Sequence, residues 1–278
     1  MPYNRKAADT LGNSYQTAIN NNNGGNFGPS LIKFPQGTKA YKFDPALAGK
    51  EQFFNILPWA IETDKHPLVA KGQAKIGDND FMLDLYTHYI DGVLKGSCIC
   101  MAQTYGEACP FEQETEGQNL GAAKRRTIFW VQPCDKNGKP VGDGAPMILN
   151  VSHFAFTKLL LEEADIQGRD NGLGGSIPFA NPDKGYVIGF RYAMESSGGA
   201  QKYAQIKRVD FYERRDPIPD SLLNSIPALD SLIEIPTRTD IHAALYGKSA
   251  TGSASEAEAS AEGQQAQPTN SVPPDETF

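Results

Sequence analysis

The segment Lys-Arg-Arg-Thr-Ile-Phe-Trp at residues 124–130 carries the strongest structural signal in the chain, because three cations run directly into β-branched and aromatic residues. This composition predicts a β-strand. Successive side chains of a strand point to opposite faces, so Arg126 would share one face with Trp130, and Arg125 the other with Phe129. The segment has two interpretations: a basic and aromatic groove for nucleic acid, or a strand end with core rings and solvated cations.

Further stretches have strand character, and turn residues separate them. We expect strands at 53–57, 81–89, 126–132, 146–152, 185–193 and 203–212. We expect short helices at 156–164, 221–233 and 240–246. Short strands joined by Gly, Pro, Asn and Asp turns, with few helices, predict a mainly β fold of the α+β class, built as a barrel or sandwich.

Composition also divides the chain into three parts. Residues 1–32 are rich in Asn and Gly, and residues 248–278 are rich in Ser, Ala, Glu, Gln and Pro. Neither end has enough apolar side chains to offset the entropy of ordering it. We therefore expect a flexible N-terminal arm at 1–32, one folded domain at 33–247, and a disordered acidic tail at 248–278.

The formal net charge is −7, whereas nucleic-acid-binding proteins are usually basic. Residues 248–278 contribute −4 of this charge, so the rest of the chain carries only −3. Local clusters of cations are sufficient to contact phosphates. Because no apolar run resembles a signal peptide or a membrane span, we expect an intracellular protein with reduced thiols and no membrane contact.

Basic and aromatic residues recur together on other predicted strands. The groups are Tyr86, His88, Tyr89 and Lys95; Arg191 and Tyr192; and Lys202, Tyr203, Lys207 and Arg208. In a groove for single-stranded nucleic acid, cations contact the phosphates while aromatic faces stack on unpaired bases. Each group is a weak signal, and their recurrence is the useful observation.

A second pattern has the spacing of a metal site. His88, Cys100, Cys109 and Glu112 resemble the ligand spacing of a zinc centre, with Glu112 where a Cys-x-x-Cys pair would have its second Cys. Carboxylates can bind zinc, although structural sites seldom use them. In the alternative interpretation the cysteines are small buried apolar residues and His88 is an ordinary strand residue.

Three runs, in this order, resemble the single-stranded DNA-binding (helix-destabilising) proteins of tailed phages: 84–89, 100–110 and 124–130. The resemblance spans roughly residues 50–215. That family has a zinc subdomain with one His and three Cys, followed by a Lys/Arg-rich stretch that ends in aromatics and contacts DNA. The present chain matches the zinc motif at His88 and both Cys positions, 100 and 109, and departs from it at Glu112.

The resemblance implies an OB-like β-barrel without catalytic activity that coats and protects single-stranded DNA. Binding would be largely independent of sequence, in phage DNA replication, recombination or repair, in the host cytoplasm. No cofactor would be required, and zinc stays open. The resemblance places five residues at the DNA: Lys124, Arg125, Arg126, Phe129 and Trp130. The other expected DNA-binding residues are those of the basic and aromatic groups, with Tyr105 from the run 100–110: Tyr86, Tyr89, Tyr105, Arg191, Tyr192, Lys202, Tyr203, Lys207 and Arg208.

The two ends suggest protein partners. The final residues include Asp275, Glu276 and Phe278, and resemble the tail tips with which bacterial single-stranded DNA-binding proteins recruit replication proteins. An aromatic ring beside a free carboxylate suits an apolar pocket rimmed by a cation. Arg5 and Lys6 could support self-association on DNA. An inert disordered tail is the alternative.

Other functional classes have less support. The chain contains none of the motifs G-x-x-x-x-G-K-[ST], H-E-x-x-H and G-x-S-x-G. The best enzyme alternative is a metal-dependent nuclease that uses Asp78, Asp80 and Asp84. A phage structural or protein-interaction module is the main alternative without catalysis.

Overall fold

Strands make up most of the regular structure in the computed structural model, which describes residues 29–116, 121–196 and 202–247. The strands are β1 Lys39–Ala40, β2 Gln52–Leu57, β3 Trp59–Ala60, β4 Asn79–Asp80, β5 Leu83–Asp91, β6 Lys95–Ile99, β7 Lys124–Pro133, β8 Met147–Ser152, β9 Tyr186–Ser196 and β10 Lys202–Glu213. The helices are α1 Pro67–Ala70, α2 Met101–Tyr105, α3 Pro110–Glu114, α4 Lys158–Asp170, α5 Asp220–Leu223 and α6 Arg238–Tyr246. Short 3-10 helices cover Pro45–Leu47 and Leu229–Leu232, and a π-helical turn covers His153–Thr157. The fold is therefore mixed α/β with a predominance of strands.

Strand β7 is the branch point of the eight-stranded sheet. One edge of β7 pairs with β8, while the other edge pairs first with β5 and then with β2. The main path runs β1-β8-β7-β2-β9-β10, and β6 pairs with β5 alone. This path is open over the described residues, so the strand ladders seen here do not close a barrel. Strands β3 and β4 form a separate small sheet.

The sequence of β7 suits this position because its apolar residues fill both faces. Ile128 and Trp130 pack into one apolar core, and Phe129 and Val131 pack into a second core on the opposite face. A strand that is buried on both faces needs a continuous apolar run, and residues 128–131 supply one.

Burial corrects three of the residues expected to stack on bases. Trp130 is only 1% exposed and Phe129 is fully buried, as core residues of β7. The Trp130 indole Nε1 donates a hydrogen bond of 2.9 Å to the carbonyl oxygen of Pro227. Tyr192 is buried as well, and its hydroxyl donates to the carbonyl oxygen of Asp44 at 2.6 Å. These rings stabilise the fold and present no face to a ligand.

The two cores have different covers. The first lies under the C-terminal segment, through residues such as Leu229, Leu232 and Ile241. The second lies under α4 and the β9–β10 hairpin, through residues such as Leu160 and Phe190. Both are rich in large apolar side chains, whose burial is the main source of stability for a domain of this size.

A buried carboxylate ties the C-terminal segment to the sheet. Asp230 is fully buried. Its Oδ2 accepts hydrogen bonds from the backbone N–H of Thr63 at 2.5 Å, from the Thr63 hydroxyl at 2.7 Å, and from the backbone N–H of Glu62 at 3.1 Å. A buried charge is tolerated only with such partners, so this network fixes where the segment docks.

The expected strands are confirmed with boundary shifts, and so is the C-terminal helix, here α6. The helix expected at 156–164 begins with the π-helical turn and continues to Asp170. The helix expected at 221–233 is wrong as one element, because α5 ends at Leu223, Pro227 interrupts the stretch, and only a 3-10 helix comes after it. Strands β1, β3, β4 and β6 and helices α1, α2 and α3 lie outside the expected elements.

The boundary of the N-terminal arm also needs correction. Leu31 and Ile32 are buried, and Ile32 forms an antiparallel bridge with Ile233. These two residues therefore belong to the folded domain and not to the arm. Residues 1–28 and the tail at 248–278 lie outside the described residues. Within the described part of the chain, no helix has both the length and the apolar character needed to cross a bilayer.

Trp130→Ala should lower the free energy of unfolding by about 3–5 kcal/mol, because it removes a buried ring from a strand packed on both faces. Chemical denaturation followed by circular dichroism measures this loss. Tyr89→Ala is the matched control, since an exposed ring should cost less than about 0.5 kcal/mol. Equal denaturation midpoints for the two variants would show that Trp130 is not a core residue.

Candidate nucleic-acid interface and metal centre

A groove of about 600 Å³ lies where the segment 29–34 crosses one face of strands β5 to β8. Its polar and aromatic lining consists of Ser30, Phe34, Tyr89, Lys95, Ser97, Arg126 and Asn150. We call this the basic groove.

Strand register explains why these side chains share a face. Tyr89 on β5 lies opposite Ser97 on β6, and Lys95 is two residues from Ser97. Leu85 precedes Tyr89 by four residues on β5, so the two share a face, and Leu85 lies opposite Arg126 on β7. Cross-strand partners share a face, as do residues two apart along a strand, so Tyr89, Lys95 and Arg126 point the same way.

The cation at the centre of the groove is held in place. Arg126 Nε donates to Oδ1 of Asn150 at 2.7 Å, and a terminal nitrogen donates to the Asn150 carbonyl oxygen at 3.1 Å. Partial burial lowers the pKa of Arg126. A guanidinium has five N–H donors in a planar fork suited to phosphate oxygens, so a fixed Arg126 is a good phosphate ligand.

Two further cations lie on the same face. Lys124 is exposed and precedes Arg126 by two residues on β7. Lys95 is exposed, and its Nζ is 3.1 Å from Oδ1 of Asp91. Exposed ion pairs of this kind contribute little free energy, so a phosphate can replace Asp91 as the partner of Lys95 at low cost.

Exposed aromatic rings complete the groove. Tyr89 is 59% exposed and Phe34 is 37% exposed, although both are large and apolar. Exposed rings beside cations are the combination with which single-strand-binding proteins stack unpaired bases. The wall that carries Phe34 is fixed: the backbone N–H of Ser97 donates to the Pro29 carbonyl oxygen at 3.0 Å, and that of Lys33 donates to the Leu232 carbonyl oxygen at 2.8 Å.

The structure brings together only part of the expected DNA-binding set. Lys124, Arg126 and Tyr89 lie on the face of the basic groove. Arg125 points to the opposite face, where its Nε donates to Oδ2 of Asp84 at 2.8 Å. This hydrogen bond to Asp84 raises the pKa of Arg125.

The two remaining tyrosines of that region also lie away from the groove. Tyr86 is half-buried, pairs with Arg125 and packs against the first core. Tyr105 is half-buried on α2, and its hydroxyl donates to the Lys65 carbonyl oxygen at 2.7 Å. Both tyrosines therefore have structural contacts in place of an open ring face.

The β9–β10 hairpin forms a separate surface. Its exposed members are Arg191, Tyr203, Lys207 and Arg208. Lys207 forms an ion pair with Glu195, and Arg208 pairs with Asp210 at 2.7 Å. Neighbouring carboxylates therefore reduce the positive field of this surface.

Four expected site residues are not tested by the geometry. The backbone of Lys202 begins β10, but its side chain lies outside the described part of the chain. Asp275, Glu276 and Phe278 also lie outside the described residues.

Sequence reasoning missed Phe34, and it did not include Lys95 or Asn150 in the expected binding set. Phe34 belongs to a stretch without strand or helix periodicity, and only the folded chain shows that this stretch crosses the sheet. Lys95 had a signal in sequence, since it belongs to the basic and aromatic group with Tyr86, His88 and Tyr89. Asn150 is a single polar residue in a predicted strand, and nothing in the sequence marks it as a site residue.

The carboxylates considered for a nuclease have separate structural partners. Asp78 Oδ2 accepts from the backbone N–H of Lys75 at 2.8 Å, and Asp80 Oδ1 accepts from that of Phe81 at 2.6 Å. Asp84 is engaged by Arg125, as described above. The three therefore serve local structure.

The four residues of the metal-like motif lie close together in the folded chain. The ligand atoms of His88, Cys100, Cys109 and Glu112 all lie within 4.8 Å of one another. His88 comes from β5, Cys100 immediately precedes α2, and Cys109 and Glu112 come from the start of α3. The packing of α2 and α3 against β5 thus brings the four ligand residues together, although they are spread over residues 88–112.

The donor set fits zinc. Within the described part of the chain, neither ring nitrogen of the buried His88 makes a well-formed hydrogen bond, although the ring interacts with Cys109 and Nε2 is 3.4 Å from Oε1 of Glu112. Unpaired buried nitrogens are costly, and a bound cation would satisfy one of them. His88 stacks on Phe111 with ring centroids 4.6 Å apart, which fixes the orientation of the imidazole. Thiolates and imidazole are the ligands that zinc prefers.

The two thiols of the cluster differ in how readily they ionise. Burial raises the pKa of the Cys100 thiol. Burial also opposes ionisation of Cys109, but interaction with His88 and with nearby backbone N–H groups outweighs it and lowers the pKa of Cys109. A thiol that ionises readily is prepared for a metal, because the thiolate is the ligand.

The other two cysteines behave as buried apolar residues. Cys98 lies opposite His88 on β6, and burial raises its pKa to about 12. Cys134 is buried at the end of β7, and burial likewise raises its pKa to about 12. For these two positions the interpretation as small core residues holds.

Comparisons with known proteins add no identification. Neither the protein-family models nor the curated protein sequences match the chain.

Cys109→Ser should abolish stoichiometric zinc binding, because it removes the thiolate that ionises most readily in the cluster. Metal analysis after purification with zinc measures the loss, and a cobalt-substituted sample should show a thiolate-to-metal absorption band only with Cys109 present. Cys134→Ser is the matched control and should keep both signals. Equal zinc content in the two variants, or no zinc in the parent protein, would rule out this metal centre.

Proposed function

We propose that the chain binds single-stranded DNA in the basic groove, largely independently of sequence. The observation that carries this proposal is the exposed ring of Tyr89 beside Arg126 and Lys95 in one groove. Every base has an aromatic face and every nucleotide a phosphate, so this arrangement recognises single strands without reading their sequence.

Each side chain has a distinct task in this proposal. Tyr89 and Phe34 stack on successive bases, and each stacked base contributes about 1–3 kcal/mol. Arg126 binds a phosphate through its fixed guanidinium, and the flexible Lys124 and Lys95 track the backbone as point charges. The bases of duplex DNA are stacked on each other and cannot stack on Tyr89. The groove therefore prefers single-stranded to duplex DNA.

The zinc centre has a structural task in the same proposal. When bound, zinc would link His88 on β5 to the cysteines at 100 and 109 and to Glu112, holding β5 against the two short helices α2 and α3. Tyr89 is the next residue after His88 and points to the opposite face, so a rigid β5 fixes the stacking ring. Metal ions that bind only the folded state add their binding free energy to stability.

The biological setting rests on the resemblance to tailed-phage single-stranded DNA-binding proteins. It supports a non-enzymatic role in DNA replication, recombination or repair in the host cytoplasm, with self-association on DNA. It also supports an OB-like barrel, an architecture that binds oligonucleotides on one sheet face and its flanking loops. In this setting the acidic tail, ending at Phe278, recruits replication proteins.

The parent protein should bind a labelled single-stranded oligonucleotide more tightly than a duplex of equal length, and the affinity should fall as salt rises, because phosphate binding releases counterions. Tyr89→Ala should cost about 1–3 kcal/mol of binding free energy. Arg126→Ala should weaken binding and reduce the salt dependence. Fluorescence anisotropy at two salt concentrations measures both.

The matched control is Tyr203→Ala combined with Arg208→Ala on the β9–β10 surface, which should bind like the parent. If the groove variants stay folded and keep full affinity while this control loses it, the interface lies on the hairpin. No binding to either DNA at low salt would refute the proposal.

A further inference from the structure

A second and larger groove, of about 1000 Å³, lies between helix α4, the loop 176–183 and helix α5. Its walls are mostly apolar and include Phe81, Leu161, Ile177, Phe179 and Leu223. Its polar lining consists of Asp80, Asp183, Asp220, Asn79, Asn181 and Asn224 with Ser176. We call it the acidic groove, and it has no residue in common with the basic groove.

The shape of this groove is built into the backbone. Gly168 on α4 is so close to the loop that an added Cβ would lie 2.0 Å from the carbonyl oxygen of Gly175. The backbone N–H of Ile177 donates to the Ala164 carbonyl oxygen at 2.9 Å. At the other end of the loop, Arg214 donates to the Pro182 carbonyl oxygen at 2.9 Å. The walls are therefore preorganised, which lowers the cost of binding.

The negative charge at the rim of the groove favours a ligand with a positive charge. Asp183 and Asp220 are exposed, and in the part of the chain that the structure describes no residue lining this groove is basic. The groove thus offers carboxylates beside an apolar wall, and it would repel a nucleic-acid phosphate.

We propose that the acidic groove binds an extended peptide segment of a partner protein in which Lys or Arg adjoins a bulky aliphatic or aromatic residue. The apolar side chain is buried against Phe179 and Leu223, and the cation pairs with Asp183 or Asp220. The volume is at the upper end of small-molecule sites, so it accommodates more than one side chain. This site does not depend on DNA binding.

The test is a selection of random peptides displayed on phage against the immobilised full-length chain. Enriched peptides should combine Lys or Arg with a large apolar residue. A synthetic copy of an enriched peptide, labelled for fluorescence polarisation, should bind about tenfold or more weakly to the charge-reversed variant Asp183→Lys/Asp220→Lys. Circular dichroism confirms that this variant is folded.

The matched control is Asp170→Lys/Asp216→Lys, which makes the same change of net charge at exposed positions outside the groove. This control should keep the parent affinity. Several outcomes would overturn the proposal: no enrichment over the charge-reversed variant, enrichment of acidic peptides, or equal binding to both variants. Displacement of the selected peptide by a synthetic peptide of residues 1–28 would also overturn it, since the groove would then serve this chain itself.

Discussion

Strand β7 has three hydrogen-bonded neighbours, and the rest of the structure depends on that arrangement. Pairing with β8 on one edge and with β5 and β2 on the other uses the backbone groups of almost the whole strand. Residues 127–132 of β7 are buried, and residues 128–131 pack into the two apolar cores, so only the first three residues of the strand and its last, Pro133, remain accessible. The same strand thus supplies a cation to the basic groove through Arg126 and a core ring through Trp130.

Strand β5 connects the two candidate sites. Its residues alternate between faces, so His88 enters the metal cluster and Tyr89 enters the basic groove. A change in the position of β5 would move both side chains together. Metal content and DNA affinity are therefore coupled properties in the proposed function, although no side chain belongs to both sites.

The sequence predicted the strands well because their β-branched and aromatic composition is a local property. It also predicted which residues could form the metal cluster, since the types of the ligand residues and their spacing can be read directly from the sequence. It could not show that Trp130 is buried, because alternation assigns residues to faces and does not say which face is covered. Phe34 escaped prediction for a related reason: its role comes from a long-range crossing, held by Leu232 and Ser97.

The two grooves carry opposite charges, and this difference affects the orientation in which a charged ligand would approach the molecule. A chain with a net charge of −7 repels a polyanion at long range, so in the proposed function encounter with DNA would rely on the local field of Lys95, Lys124 and Arg126 within about one Debye length, roughly 8 Å in physiological salt. Carboxylates at the acidic groove would repel the same polyanion. The uneven charge distribution would therefore favour encounters in one orientation, before any ring stacks on a base.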